Sequence, residues 1–316
     1  MRLGWVGCHA EGVPALEALV AAGAAPVAVL TLPPERAARR SGSADYRALG
    51  ARLGLPVHET ADLNDDATVA LLRALDLDVL FVIGWGQILR GPALGTAKIG
   101  AVGAHASLLP HNRGSAPINW ALIRGESETG NTLLWLTEEL DGGAVIDQVR
   151  FPITPHDTCA TLYDRVAAAN RDMILRLLPR LCRGERPATR QLAMAEPLLP
   201  RRRPTDGRID WGRPAPAVYD FVRALTRPYP GAFSRLDGQR WTVWQAVLLP
   251  DGAATAAHPG RTLGSVVSPA SAACGQAVAC ATGAVVLLEV ENEDGTVLRG
   301  PALSDQPWAG KVWGDD

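Results

Sequence analysis

The stretch DVLFVIGW (78–85) decides the fold class of this 316-residue chain. It is an apolar run of strand length, and such runs are typical of strands that are buried on both faces of a parallel sheet. Strand-like and helix-like patterns alternate before it, with strands predicted at 2–7, 26–32 and 55–60 and helices at 13–22, 44–54 and 66–76. This alternation predicts a doubly wound α/β domain with a parallel sheet.

Ligands bind to such sheets at the carboxyl ends of the strands. The loops in which we expect a site therefore follow Gly7, Leu32, Trp85 and Gly103. The first of them, GCHAEG (7–12), lacks the middle glycine of a dinucleotide-binding fingerprint, so a nicotinamide site is not predicted there.

The second half of the chain has a different character. A helix predicted at 158–182 ends the α/β domain, which we place at residues 1–182. Residues 183–207 are rich in proline and arginine and have little periodicity, which predicts a linker. A helix at 216–226 and short strand patterns at 240–249, 264–268, 276–281 and 284–292 then predict a smaller domain at 208–316, built as a small β-barrel.

Composition excludes several classes of function. The net charge is −2, so no global field attracts the chain to nucleic acid or to a membrane surface. The five cysteines are scattered and form no CxxC pair, which favours a reducing compartment and argues against a zinc site or a disulfide framework. No signal-peptide or membrane-spanning pattern is found, and no metal is expected, so the sequence predicts a soluble, cytoplasmic protein.

One pair of residues indicates chemistry. His105 follows the short apolar segment IGAVGA (99–104) at an expected strand end, and Asp141 lies 36 residues later in a glycine-rich turn between two strand-like segments. A histidine alone beside a turn is commonly a structural group. With an acid on a neighbouring loop it becomes a general-base pair, because the acid fixes the tautomer and stabilises the imidazolium.

The segment HASLLPHNRGSAPINWALIRGESETGNTLLWLTEELDGGAVIDQ (105–148) strongly resembles the 10-formyltetrahydrofolate-dependent formyltransferases. That family includes methionyl-tRNA formyltransferase and the amino-sugar and hydroxyornithine-type formyltransferases. The resemblance covers most of the chain, with further similar segments at 6–20, 82–94 and 206–244. It implies a Rossmann-like formyltransferase domain followed by an OB-like β-barrel.

The family triad is Asn-x-His together with the distant Asp, and this chain departs from it. The resemblance assigns the histidine to His105 and the aspartate to Asp141, but Gly103 stands where the family has asparagine. Losing one such oxyanion donor typically costs ~2.7–4 kcal/mol. Asn112, Asn131 or the cationic form of His105 could replace the donor.

Other accounts of Gly103 stay open. The acceptor could be so nucleophilic that less oxyanion stabilisation is needed, or the fold could serve a different task. Gly103 could also simply permit a tight strand exit while a weaker activity survives.

The resemblance also implies binding residues. The folate pterin is expected to lie against the main chain of one loop and against the glycine-rich turn, at Gln87, Ile88, Leu89, Leu140, Asp141, Gly142 and Gly143. Ser107, Arg113 and His9 are the candidate substrate-binding residues, with Ser107 also placed to support its loop.

The predicted function is transfer of a formyl group from 10-formyltetrahydrofolate to an amine of a small metabolite, such as an amino sugar, an amino acid or a carrier-bound amine. The arginines at 36, 39, 40 and 47 could bind phosphates of a nucleotide sugar or form a solvated loop. Transfer to tRNA is not favoured, because the chain lacks the basic surface that tRNA binding needs. The alternatives are methionyl-tRNA formyltransferase, a folate hydrolase or other one-carbon enzyme, and a non-catalytic folate- or amine-binding protein. The sequence determines neither the acceptor nor the oligomeric state.

Overall fold

The computed structural model describes residues 1–192, 196–249, 257–268 and 273–314. Three residues of the predicted linker, 193–195, and several of the predicted second domain therefore lie outside the described residues. The chain forms two compact units. The first comprises Met1–Ile118, Glu128–Pro152 and Thr161–Arg201, and the second comprises Asn119–Ser127, Ile153–Ala160 and Arg202–Asp316.

The first unit contains a seven-stranded sheet with the order β3-β2-β1-β4-β5-β6-β7. Its strands are β1 (Leu3–Val6), β2 (Ala28–Thr31), β3 (Val57–Glu59), β4 (Leu77–Val82), β5 (Ala97–His105), β6 (Glu128–Trp135) and β7 (Val145–Pro152). Neighbouring strands among β1 to β5 are parallel, which confirms the Rossmann-like α/β domain. The sheet is mixed rather than wholly parallel, because β6 and β7 run antiparallel to their neighbours. The link between β6 and β7 is too short for the crossover that a parallel pair requires.

The helices that precede the predicted linker are α1 (Val13–Ala21), α2 (Pro34–Ala37), α3 (Tyr46–Leu53), α4 (Asp66–Ala74), α5 (Gly91–Leu94), α6 (Pro117–Ile123) and α7 (Cys159–Cys182). Residues of α1 and α7 pack on one face of the sheet and residues of α4 on the other. The Asp45 carboxylate caps α3 by accepting from the backbone amides of Arg47 and Ala48, and Gly54 ends that helix at φ 69°.

The sheet core has two sides because successive strand residues point to opposite faces. In β4 and β5, Val79, Phe81 and Val102 pack with residues of α1 and α7. Leu80 and Val82 pack on the other face, with residues of α4. The central strands are thus buried on both sides, as the apolar run at 78–85 predicts.

The second unit is built on an antiparallel sheet with the order β10-β11-β12-β9-β8, and β13 pairs with β12. The strands are β8 (Ala232–Leu236), β9 (Gln239–Leu248), β10 (Thr262–Ser268), β11 (Ala273–Ala279), β12 (Ala284–Asn292) and β13 (Val297–Arg299), and the helices are α8 (Ala215–Leu225) and α9 (Pro301–Ser304). Within the described part of the chain this order is an open path, so closure into an OB-like barrel stays a prediction.

Tryptophans fill much of the interior of this second unit. Trp308 makes edge-on contacts with Trp241 and Trp313, at ring-centroid distances of 5.1 and 5.4 Å. None of the helices formed by the described residues is both long and apolar enough to cross a membrane.

Candidate active site

Strand β5 carries His105 and Gly103 to the carboxyl end of the parallel strands. The two residues are two positions apart and therefore share one face of the sheet. That face is the one covered by α4, because Ala101, two residues earlier, packs in the same cluster as Leu80 and Val82. The prediction that His105 stands at a strand end is confirmed.

The imidazole of His105 is 8% exposed and lies between two acceptors. Its Nδ1 is 3.4 Å from Oδ1 of Asp141, and its Nε2 is 2.8 Å from the backbone oxygen of Asn112. A doubly protonated ring can donate to both groups, whereas a neutral ring has one N–H and satisfies only one of them. For His105 to present a lone pair to a substrate, one of these two contacts must open.

Asp141 is held in a tight turn. Its backbone lies in the left-handed region at φ 53°, and its Oδ2 accepts from the amide of Gly114 at 2.9 Å. Gly143 is required in the same turn, because a Cβ there would overlap the carbonyl oxygen of Trp135 and lie 2.9 Å from its carbonyl carbon. At Gly142 the atoms nearest to a Cβ would all belong to the exposed side chain of Glu139. The turn therefore has little freedom to move.

Gln191 also contacts this turn, and no motif of the sequence points to it. Its Nε2 donates to the carbonyl oxygens of Asp141 at 2.8 Å and of Gly143 at 2.7 Å. Its Oε1 accepts from Nη2 of Arg113 at 2.9 Å, while Nη1 of Arg113 binds Glu139 at 3.0 Å. Arg113, a candidate substrate contact, is thus engaged in supporting the turn.

Polar side chains hold the loop that follows His105 through hydrogen bonds to its backbone. The Ser107 hydroxyl is fully buried and donates to the backbone oxygen of His111 at 2.7 Å. Oγ1 of Thr132 donates to the carbonyl of Ser107 at 2.7 Å and accepts from the amide of Leu109. The structure therefore places Ser107 where it supports the loop.

The loop between β4 and α5 and the Asp141 turn are tied together. The amide of Gly91 donates to Oε1 of Glu138 at 2.6 Å. The loop itself is fixed by Asn64, whose Nδ2 donates to the carbonyl of Ile88 and whose Oδ1 accepts from the amide of Arg90. The two segments that the resemblance assigns to pterin binding thus lie side by side.

Within these two segments the candidate residues differ in environment. The side-chain amide of Gln87 is bound internally, donating to Asp62 and accepting from the amide of Leu63 at 2.9 Å. Leu89 is buried, whereas Ile88 is 46% exposed and Leu140 is 37% exposed. Exposed apolar side chains on two adjoining loops form a surface on which a flat heterocycle can lie.

Leu136 occupies the space beside Gly103. A Cβ on residue 103 would lie 3.0 Å from Cγ of Leu136 and 3.3 Å from its Cδ1, and closer still to Cδ2. Leu136 packs against the α4-side cluster of the sheet. Where the family pattern has a polar amide, this chain therefore has hydrocarbon.

The family of the chain is decided by two matches. The formyl transferase family model matches residues 23–178, and the model of the formyl transferase C-terminal domain matches residues 202–305. This chain belongs to the formyltransferase family. It is accordingly a transferase, which confirms the family and the enzyme class that the sequence motifs predict.

Solved structures similar to this formyltransferase include HypX from Aquifex aeolicus in complex with tetrahydrofolic acid, at 19% identity and a TM-score of 0.65, covering 95% of this chain and 46% of that chain. The chain thus spans about half the length of the HypX chains that it matches. The N-formyltransferase from Helicobacter canadensis, in complex with folinic acid and dTDP-3-aminofucose, has 15% identity and a TM-score of 0.67, covering 91% and 98%. WlaRD, a sugar 3N-formyl transferase, has 14% identity and a TM-score of 0.64, covering 91% and 97%. These likenesses show the fold.

Asn112 and Asn131 are the two asparagines that could replace the side-chain amide that this formyltransferase lacks at position 103. Asn131 lies on the α7 side of the sheet, where its Nδ2 donates to Oδ1 of Asn170 at 2.6 Å. His105 faces the α4 side, so Asn131 is on the wrong face to serve. Asn112 lies next to His105, through the backbone contact of 2.8 Å.

His9 lies in the loop after β1, where its Cβ packs against Gly84 at the start of the loop after β4. Its Nδ1 accepts from the amide of Glu11, which caps a 3₁₀ turn, and its ring lies 5.2 Å from that of Tyr163. Burial raises the pKa of the neighbouring Cys8 thiol to about 11, although Arg40 acts in the opposite direction. This arrangement gives His9 a structural role, and substrate contact by His9 stays a prediction.

The arginines of residues 36–47 lie on and after α2. Arg47 pairs with Glu59 at 3.2 Å, whereas Arg40 approaches the loop after β4, because a Cβ on Gly86 would lie 3.7 Å from its Nη1. Among the described residues, no three His, Cys, Asp or Glu side chains are grouped as metal ligands.

Proposed function

We propose that this formyltransferase moves a formyl group from 10-formyltetrahydrofolate to a primary amine of a small metabolite. The observation that carries the proposal is the pair of buried His105 and half-buried Asp141 at the carboxyl end of β5, with Nδ1 and Oδ1 3.4 Å apart. A histidine paired with a carboxylate at a strand end is suited to proton transfer during acyl transfer.

The folate is proposed to lie on the two adjoining loops next to this pair. Ile88 and Leu140 supply exposed apolar surface, and the main chain of Gln87, Leu89 and Gly142–Gly143 supplies hydrogen-bonding groups. Two solved relatives hold folates, since HypX contains tetrahydrofolic acid and the Helicobacter canadensis enzyme contains folinic acid. These relatives support the choice of a folate as the formyl donor.

His105 is proposed to carry the proton. The amine nitrogen attacks the formyl carbon, and Nε2 of His105 accepts the amine proton once the Asn112 carbonyl has moved from it. Nδ1–H stays directed at Asp141, whose carboxylate stabilises the imidazolium. The bond between the formyl carbon and N10 then breaks, and His105 returns the proton to N10, giving the formamide and tetrahydrofolate.

The Gly103–Leu136 pair bears on the choice of acceptor. Hydrocarbon at this position offers no donor to the developing oxyanion, and one donor is worth ~2.7–4 kcal/mol of transition-state stabilisation. We propose that the acceptor compensates by being a strong nucleophile, such as a hydroxylamine or hydrazine, or that Asn112 supplies the missing amide.

If the acceptor is an ordinary primary amine, the class that we propose first is a nucleotide-linked amino sugar. The Helicobacter canadensis relative holds dTDP-3-aminofucose, and WlaRD is a sugar 3N-formyl transferase. The arginines at 36, 39 and 40 are proposed to bind the phosphates of such a substrate.

All five cysteines are free thiols, which supports a cytoplasmic location for this chemistry. The division into domains at 1–182 and 208–316 stays part of the proposal.

The test is incubation of the protein with 10-formyltetrahydrofolate, with and without a panel of amines that includes dTDP-amino sugars, amino acids, hydroxylamines and hydrazines. Release of tetrahydrofolate is followed by absorbance and the formylated product by mass spectrometry. Release that depends on an amine supports transfer. Release without any amine indicates a hydrolase, and binding without release indicates a folate-binding protein. His105→Gln serves as the control for background release.

A further inference from the structure

The turn that carries Asp141 is fastened by one side-chain amide from a distant segment. Nε2 of Gln191 donates to two backbone carbonyls of this turn, those of Asp141 at 2.8 Å and Gly143 at 2.7 Å. No catalytic or binding role for Gln191 follows from the motifs of the sequence. Its position, however, is defined by four side-chain hydrogen bonds, because its Oε1 also accepts from Nε and Nη2 of Arg113.

The backbone conformation of Asp141 needs hydrogen bonds of this kind to stabilise it. Its backbone is in the left-handed region at φ 53°, which a residue with a Cβ adopts at a cost. Its carboxylate is held by one amide, that of Gly114 at 2.9 Å, and its contact with His105 is 3.4 Å long. A small change in the turn would therefore separate the two side chains.

The segment that brings Gln191 to the turn is itself anchored on both sides. Thr189 and Val145 exchange two backbone hydrogen bonds, of 2.8 and 2.7 Å. Further along, Leu199 donates to the carbonyl of Arg113 at 2.7 Å and accepts from the amide of Ser115 at 3.0 Å. Thr189 thus pairs with the start of the strand that follows the Asp141 turn, and Leu199 pairs with the loop after His105.

We propose that Gln191 is a positioning residue, which holds the Asp141 turn so that the carboxylate stays against Nδ1 of His105. The inference rests on the proposed function for its effect on turnover. Arg113 shares the task, because its guanidinium connects the Gln191 amide oxygen to Glu139 of the same turn.

Gln191→Glu is the most informative substitution. It keeps the shape of the side chain and keeps an acceptor for Arg113, but it replaces the amide donor by a carboxylate oxygen that faces two carbonyls. We expect kcat for amine-dependent formyl transfer to fall about 10²-fold, since a displacement of ~1 Å at a catalytic group has that effect. The KM for 10-formyltetrahydrofolate should change less than kcat.

A second measurement does not depend on turnover. The ¹⁵N resonances of the His105 imidazole, identified by their loss in His105→Gln, are recorded at one pH for the wild type, Gln191→Glu and Asp141→Asn. We expect the Gln191→Glu resonances to move from the wild-type positions toward those of Asp141→Asn. Gln306→Glu is the matched control, because the Gln306 amide donates to the carbonyl of Ala302 in α9 and, among the described residues, to no group of the Asp141 turn. It should leave both the His105 resonances and kcat unchanged.

The outcomes separate the two proposals. Wild-type His105 resonances together with wild-type kcat in Gln191→Glu would overturn the positioning role. A wild type that transfers formyl to no amine, combined with shifted His105 resonances in Gln191→Glu, would overturn the proposed function and leave the positioning role standing. If Gln191→Glu does not fold, Gln191→Met removes the donor without adding charge and is judged by the same resonances.

Discussion

An asparagine introduced at position 103 would have to displace Leu136 before its amide could face the site. Its Cβ would lie 3.0 Å from Cγ and 3.3 Å from Cδ1 of the leucine. Cδ2 of the leucine would lie closer still, and carbon atoms in contact are ordinarily about 3.5–4.0 Å apart, so the leucine side chain must move by at least ~1 Å. Overpacking of this kind typically lowers the free energy of unfolding by ~1–3 kcal/mol.

The same substitution also introduces an amide donor that can stabilise the transition state. A well-placed amide donor is worth ~2.7–4 kcal/mol in the transition state, or about 10²–10³ in rate. In Gly103→Asn alone, Leu136 holds the amide off its position, and a misplacement of ~1 Å removes about 10² of that gain. We therefore expect the single variant to transfer formyl at a rate close to that of the wild type, with lower stability.

Leu136→Ala creates the space that the asparagine amide needs beside residue 103. In that background we expect Gly103→Asn to raise kcat/KM by about 10²–10³ and to cost little further stability. The four proteins of this double-mutant cycle are compared by amine-dependent release of tetrahydrofolate and by urea unfolding, and coupling of ~1–3 kcal/mol is expected in stability. Gly103→Ala, made in both backgrounds, adds the same Cβ without an amide and controls for bulk.

Two results would refute this reasoning. Additive stability changes across the cycle would show that Leu136 and residue 103 do not compete for space. A rate for Gly103→Asn/Leu136→Ala no higher than that of Gly103→Ala/Leu136→Ala would show that the site does not lack an amide.

Three further variants and probes test other parts of the structure. Asp141→Asn should lower kcat for formyl transfer by about 10²–10⁴, because the imidazolium loses its carboxylate, and an unchanged kcat would exclude its role in catalysis. Gly143→Ala should lower the melting temperature and activity strongly, since its Cβ overlaps a backbone carbonyl, whereas Gly142→Ala displaces only an exposed side chain and should be mild in both calorimetry and turnover. Burial raises the pKa of Cys8 to about 11, so its thiolate is scarce at pH 8 and its alkylation by iodoacetamide should accelerate about tenfold per pH unit above that. Mass spectrometry should find exposed Cys182 alkylated first, and equal rates at pH 8 would contradict the burial of Cys8.

The central fold is predictable because each strand carries its own signal. The run at 78–85 contains Val79 and Phe81 on one face and Leu80 and Val82 on the other, and both sets are buried. Strand direction is not encoded in that way. Alternation identifies β6 and β7 as strands, but their antiparallel pairing follows from the length of the connecting turn and from the neighbour that each strand meets.

The site is predictable only where the residues themselves carry the chemistry. Motif spacing predicts that His105 and Asp141 meet, and their side chains are 3.4 Å apart in the structure, although their roles stay predictions. Leu136 could not be found from sequence, because the volume that it takes beside Gly103 depends on how the side chain that directly follows β6 packs. Gln191 lies in a stretch without periodicity, which predicts a linker, and only its tertiary contacts reveal its position.

The contacts of Thr189, Gln191 and Leu199 also determine where the first unit can be cut. A truncated chain ending at residue 182 would retain every strand of the seven-stranded sheet but lose the amide that spans Asp141 and Gly143, together with the backbone pairs to Val145 and Arg113. Such a fragment should fold around an intact sheet and yet have a much lower kcat for formyl transfer. Attempts to isolate or transplant the half of this protein that carries the proposed site should therefore extend to Arg201, where the first unit ends.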